Sequence, residues 1–224
     1  MTTKIARVAA AAALLYAATQ FYRNWGTTKE ECRMTLPGDE LIGRPVVQTT
    51  EGVWIDAPAS AVWSWLVQMG QDRGGLYSYQ MLKNFVGLHY HNADRIHPEW
   101  QHLAPGDVMR LAPKGWFGLR DGIVMTVVDV TEQQSIVLGM MPQHLWDVVW
   151  SFHLIPHWED RCLLLIRTRI RFRHPGEMLA TELAGPAKAL MTRGILLGIK
   201  RRVECQLQAE TAAAVATTDL HRVI

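Results

Sequence analysis

Six acid–base side chains, Asp72, His89, His91, Asp94, His97 and Glu99, fall within the single stretch GQDRGGLYSYQMLKNFVGLHYHNADRIHPEW, from Gly70 to Trp100. Imidazoles exchange protons near neutral pH, and carboxyls do so when burial raises their pKa, which makes His91, Asp94 and Glu99 the candidates for general acid–base catalysis. Glu99 next to Trp100 would set a carboxylate against an aromatic wall, where loss of water raises its pKa. Tyr77 and Tyr79 would share one face of an extended segment and offer rings and hydroxyls to a ligand, although each alone also fits core packing. Asp72 and Arg73 fit an ion pair or turn network, or a ligand-facing role. Asn92 and Asp94 suit a turn held by side-chain bonds to backbone N–H groups.

A metal reading would bring His89 and His91 to one ion with Asp94 or Glu99 beside them. There is no HExxH arrangement, and Asn92-Ala93-Asp94-Arg95 reads as a polar turn. No metal is therefore assigned, and the histidines read as structural hydrogen-bond partners, His91 being the best placed to face a cavity. No cofactor is expected either, since the chain lacks a nucleophile elbow, a phosphate loop and a dinucleotide fingerprint. Ser64, Ser78 and Ser151 lack any nucleophile motif. Cys32, Cys162 and Cys205 are isolated, and Cys162 reads as a buried small hydrophobe.

These residues must be held by something sizeable. The chain has 224 residues, 49% of them hydrophobic and 20% charged, the balance of a folded domain with an appendage. A formal charge of +2 argues against nucleic acid as a partner. Nine tryptophans suit a filled core, a large apolar cavity or a membrane interface. At the N-terminus, Lys4 and Arg7 precede an apolar run from Val8 to Ala18, and counting from Ile5 to Tyr22 approaches the roughly 20 residues that span a bilayer. A membrane-anchor helix over 1–25 is the expectation, with a secretory signal or an interfacial helix as alternatives. Residues 26–45 read as a tether or an extended packing segment.

From Val46 the period becomes that of a strand, with Val53 and Ile55 on one face and Trp54 on the other. Pro58 suits the first turn of a helix over 59–69, whose stripe is Val62, Trp65, Leu66 and Met69. A short helix is expected from Tyr79 to Val86. Strands follow at 107–111, 123–130 and 136–140, then at 145–155 and 162–172. In the last two, Trp146, Val148, Trp150, Phe152 and Leu154 share one face, as do Leu164, Ile166, Thr168, Ile170 and Phe172. Arg167, Arg169, Arg171 and Arg173 take the opposite face. That row reads as a solvated outer surface with edge protection, or as a patch for anionic phospholipid. A long helix is expected over 177–209, bent at Gly185-Pro186, with Lys188, Arg193, Lys200, Arg201 and Arg202 on its wet side and a frayed tail at 211–224.

Strand, helix, helix, several antiparallel strands and one long C-terminal helix make an α+β chain. From Val46 to Gln208 it resembles the START-like, or Bet v 1-like, helix-grip (SRPBCC) superfamily, which includes polyketide cyclase/dehydrase-type and lipid-transfer proteins. WIDAPASAVWSWLVQMGQ matches that superfamily's first strand and helix entry. GQDRGGLYSYQMLKNFVGLHYHNADRIHPEWQHLAPGDVMRL resembles an uncharacterised, often membrane-anchored bacterial branch. The resemblance implies a curved antiparallel sheet around the long C-terminal helix over 46–210, with a cavity between them. Two functions follow as expectations. One is binding, transport or sensing of a hydrophobic small molecule or lipid near a membrane, with Tyr77, Tyr79, His91, Trp100, Trp146 and Trp150 as ligand contacts. The other is polyketide cyclase/dehydrase-like catalysis by His91, Asp94 or Glu99. A structural or protein-interaction role is the third possibility.

Overall fold

A computed structural model describes residues 23–78, 91–140, 146–172 and 176–222. Six strands, β1 (Val47–Ile55), β2 (Val108–Ala112), β3 (Ile123–Thr131), β4 (Ser135–Met140), β5 (Trp146–Pro156) and β6 (Cys162–Phe172), form one sheet. Its order is β1-β6-β5-β4-β3-β2, antiparallel throughout. Irregular register between Arg110 and Ala112 and between Val127 and Asp129 adds twist on the β2–β4 side. Helix α1 covers Lys29–Arg33, α2 covers Ala59–Val67, and α3 covers Gly176–Arg222. A curved antiparallel sheet beside a long C-terminal helix is the helix-grip arrangement that the resemblance implies.

The expected alternation sets the two faces. Ile136, Phe152 and Ile166 are aligned across β4, β5 and β6, as are Leu138, Trp150 and Thr168. Most of these join Val62, Trp65 and Leu66 of α2 and Ile195, Leu196, Ile199 and Val203 of α3 in one core. The Trp65 indole N–H donates to Gln206 Oε1 at 3.0 Å, tying α2 to α3. Helix α3 runs without a break past Pro186 and through the segment expected to fray. The expected helix from Tyr79 to Val86 and the membrane-anchor segment up to Tyr22 lie outside the described residues. Among the described residues no helix is long and apolar enough to cross a membrane.

The arginine row departs from expectation. Arg167 and Arg169 are buried, at 1% and 8% exposure. The segment from Thr28 to Gly43 lies over them and packs its Leu36 on Leu163 and Leu165, and its Ile42 on Val137 and Val149. Arg167 donates to Asp39 Oδ2 and the Met34 carbonyl, both at 2.7 Å, and to the carbonyls of Glu31 and Cys32 and the Thr50 hydroxyl. Arg169 pairs with the other Asp39 oxygen at 2.8 Å and donates to the Ile42 carbonyl. A buried guanidinium needs its donors satisfied, and this segment supplies carbonyls at matching positions. These two arginines therefore clamp a covering layer rather than face water or phospholipid. Arg171 is half exposed and pairs with Asp147, and Arg173 lies outside the described residues. Ahead of that layer, Trp25 accepts a bond from the Gly52 N–H and Thr27 donates to the Thr50 carbonyl, protecting the free edge of β1.

Candidate functional site

The Gly70–Trp100 block closes on itself. Gly70 and Gly75 exchange backbone bonds of 3.0 and 2.8 Å, and Gly75 has a φ of 79° in a position where a Cβ would press on Asn92 and the His91 carbonyl. Only glycine meets both demands without strain. Gln68, fully buried, donates to the Arg95 carbonyl and accepts from the His97 N–H. Arg73 donates to the carbonyls of Val67, Trp100 and His102. Asp72 pairs with Arg110 at 2.9 Å, so Asp72 and Arg73 serve different partners. Asn92 accepts from the Tyr77 N–H and donates to the Ser78 carbonyl.

Tyr77 is the block's link to α3. Its ring is buried against Trp65 and below Arg202, and its hydroxyl donates to the Trp65 carbonyl at 3.1 Å. Burial pushes that hydroxyl's pKa further up, which keeps it a donor. Arg202, expected on the wet side, donates to the Ala93 carbonyl at 2.8 Å. Gly198 lets α3 approach so closely that a Cβ there would overlap the Tyr77 carbonyl oxygen.

The acid–base candidates do not converge on Tyr77. His91 and Asp94 are exposed. Glu99 is 61% exposed, its pKa lowered by its own backbone N–H and by His97, whose Nδ1 lies 3.1 Å from Oε1. The desolvated carboxylate expected there is instead a wetted one. Trp100 is half buried and stacks on His97 with ring centres 4.3 Å apart. Trp150 is buried beside Phe152 at 4.6 Å. Trp146 opens β5 opposite Phe172. Tyr79 and His89 lie outside the described residues. Among the described residues no three His, Cys, Asp or Glu side chains are grouped to hold a metal ion.

A different polar cluster lies on the inward face of β1, beneath α3. Strand alternation puts Thr49 and Glu51 on the same face as Val53 and Ile55. Glu51 is 1% exposed, and its Oε2 has no hydrogen-bond partner among the described residues. It ends the row Ile136–Phe152–Ile166, just as Thr49 ends the row Leu138–Trp150–Thr168. Along these two rows the sheet's interior turns from apolar to polar toward β1. From α3, Lys188 donates to the Thr49 hydroxyl at 3.0 Å, and the Thr192 hydroxyl donates to the Lys188 carbonyl at 3.1 Å. Arg193 lies 4.3 Å over the Trp25 ring.

Burial pushes Glu51 up to about 8, against the pull of Lys188, Arg193 and the Thr192 hydroxyl. Burial likewise brings Lys188 down to about 8, opposed by Glu51 and aided by Arg23. At neutral pH the carboxyl therefore holds its proton while the amine is charged. In the sequence Glu51 is hidden within the polar run Gln48–Glu51. Counting back by two from Ile55 and Val53 would have placed it inward. Lys188, expected on the wet side of α3, reaches back over Thr49.

One further polar pair lies apart from this cluster. Ser151 and His153 lie 2.9 Å apart on the outward face of β5, each almost fully buried. Burial, reinforced by the Arg167 charge, lowers His153 to about 4, too weak a base to activate a hydroxyl at neutral pH.

No protein-family model matches the chain, and no curated protein does. Among solved structures it is similar to norcoclaurine synthase from Thalictrum flavum, at 14% identity and a TM-score of 0.43, over 76% of this chain and 94% of that one. CalU16 from Micromonospora echinospora is similar at 14% identity and 0.38, over 70% and 84%. KanY is similar at 14% and 0.41, over 70% and 97%. These likenesses carry no functional weight; the helix-grip arrangement of this chain stands on its own strand order and C-terminal helix.

Proposed function

We propose that the protein binds a hydrophobic small molecule or lipid between the inward face of its sheet and α3. The observation that supports this reading is the gradient across that face, apolar and aromatic over β4 and β5 and ending in Thr49 and Glu51 on β1. Apolar contact would supply most of the affinity, at roughly 25 cal/mol per Å² before the costs of association. The Gly70–Trp100 block has a supporting role here, since its bonds fix α2 and α3 on one side of the binding region. The apolar N-terminal run in the sequence supports a reading in which this binding takes place near a membrane. Solvent extraction of the full chain purified from its native source, followed by mass spectrometry, tests the proposal. Recovery of one class of apolar molecule in stoichiometric amount is the expected result. A chain that comes out empty and takes up no apolar probe overturns it.

A cyclase/dehydrase-like activity is the second reading, favoured by one observation. Glu51 is a carboxyl that keeps its proton near neutrality in a dry setting, the condition for a general acid. His91, Asp94 and Glu99 would have to act from exposed positions. Turnover of a polyketide-like chain that is lost in Glu51→Gln, with ligand binding retained, would support this reading.

A further inference from the structure

We propose that Glu51, Thr49 and Lys188 form the head-group subsite for a long-chain monocarboxylate whose tail lies along the apolar rows of β5 and β6. The inference rests on the ligand-binding reading above and adds the chemistry of the ligand's polar end.

The argument begins with hydrogen bonding. A buried carboxyl normally has both oxygens satisfied, because an unpaired buried polar atom costs about 1–3 kcal/mol. Glu51 Oε2 is without a partner among the described residues, on a side chain that is 1% exposed. Lys188 spends one of its three N–H donors on Thr49, and the Thr49 hydroxyl keeps its own proton to donate. The subsite is therefore rich in donors whenever Glu51 is protonated.

Charge then selects among ligands. The charged groups that act on Glu51 are Lys188 and Arg193, both from α3. Arg23 of the N-terminal segment adds its field at Lys188. Opposite Glu51 and Thr49, β6 brings Ile166 and Thr168, neither of which titrates. A ligand cation would add positive charge where two cations already oppose one carboxyl. An alcohol would satisfy Oε2 but leave the ammonium unbalanced. A carboxylate answers both needs, accepting the Glu51 O–H and the Lys188 N–H together and drawing strength from the charge on each bond. A phosphate brings nearly two negative charges, about twice what the single Lys188 ammonium in the subsite balances.

The pH dependence has one sign. Raising pH through about 8 ionises Glu51 and discharges Lys188, so both changes disfavour an anion.

The test is calorimetric titration of the full chain with decanoate and with 1-decanol, at pH 6.5 and pH 9. Decanoate should bind at least about ten-fold more tightly than decanol at the lower pH, and that preference should vanish at the higher. Lys188→Met should abolish the preference by weakening decanoate at least about ten-fold, with Lys188→Gln as the second variant if the first does not fold. Glu51→Gln keeps a neutral donor and should retain the preference at pH 6.5. Equal binding of acid and alcohol, or a preference that survives loss of Lys188, overturns this assignment and leaves the broader ligand-binding reading standing. Failure of both probes to bind overturns the two together.

Discussion

Replacing Glu51 by Gln should make the protein more stable above neutral pH and abolish part of its pH dependence. In the unfolded chain this carboxyl titrates near its ordinary value of 4.5, whereas in the fold it holds its proton to about 8. Between those values the native state binds a proton that the unfolded state has lost, so stability falls as pH rises. Each pH unit in that window removes about 1.4 kcal/mol, for a total on the order of 5 kcal/mol once pH exceeds about 8. Lys188 works in the opposite direction at higher pH. Its native value of about 8 lies below the ordinary 10.5, so stability recovers between those limits. The wild-type profile should therefore pass through a minimum near pH 8, and Glu51→Gln should lack the falling limb. Urea unfolding at intervals from pH 4.5 to 10, with the change in midpoint converted through a common m-value, reads this directly. A variant whose profile runs parallel to wild type, or is less stable at pH 8, would refute the assignment of Glu51 as a buried, proton-holding carboxyl.

Arg167→Met should destabilise by about 3–5 kcal/mol in urea, because it removes one of the two arginines paired with Asp39 and the donor to several buried carbonyls. Arg161→Met should change stability by under about 1 kcal/mol, since its pair with Asp56 is exposed on both sides. Gly198→Ala offers a test of sign. Helix propensity alone would favour alanine by about 1 kcal/mol, whereas the overlap with the Tyr77 carbonyl should make the variant less stable by about 1–3 kcal/mol on thermal or urea unfolding. Gln68→Ala should loosen the Gly70–Trp100 block, seen as faster amide exchange at His97, whose N–H donates to Gln68.

Periodicity found every strand of the sheet to within two residues, because a half-buried strand must alternate. It also found the first core helix and the long last one. It could not say what lies on the outward face. Arg167 and Arg169 alternate with apolar neighbours just as solvated arginines do, and only the docking of Asp39 and the Glu31–Ile42 carbonyls from far away in the chain buries them. The same limit explains the candidate site. His91, Asp94 and Glu99 were conspicuous because they cluster in sequence, but clustering in sequence does not bring side chains to one point in space. Glu51 and Lys188, which do approach, are separated by the whole sheet, and only strand parity gave a local hint of the first.

The central claim is that a hydrophobic molecule lies between the sheet and α3 with its polar end at β1. Photo-crosslinking of the full chain with a diazirine-bearing fatty acid, followed by peptide mapping, tests it most directly. We predict labels within 47–55, 146–156 and 188–203, competed away by unlabelled decanoate. Labels confined to the exposed part of 91–100, or insensitive to competition, would contradict the account.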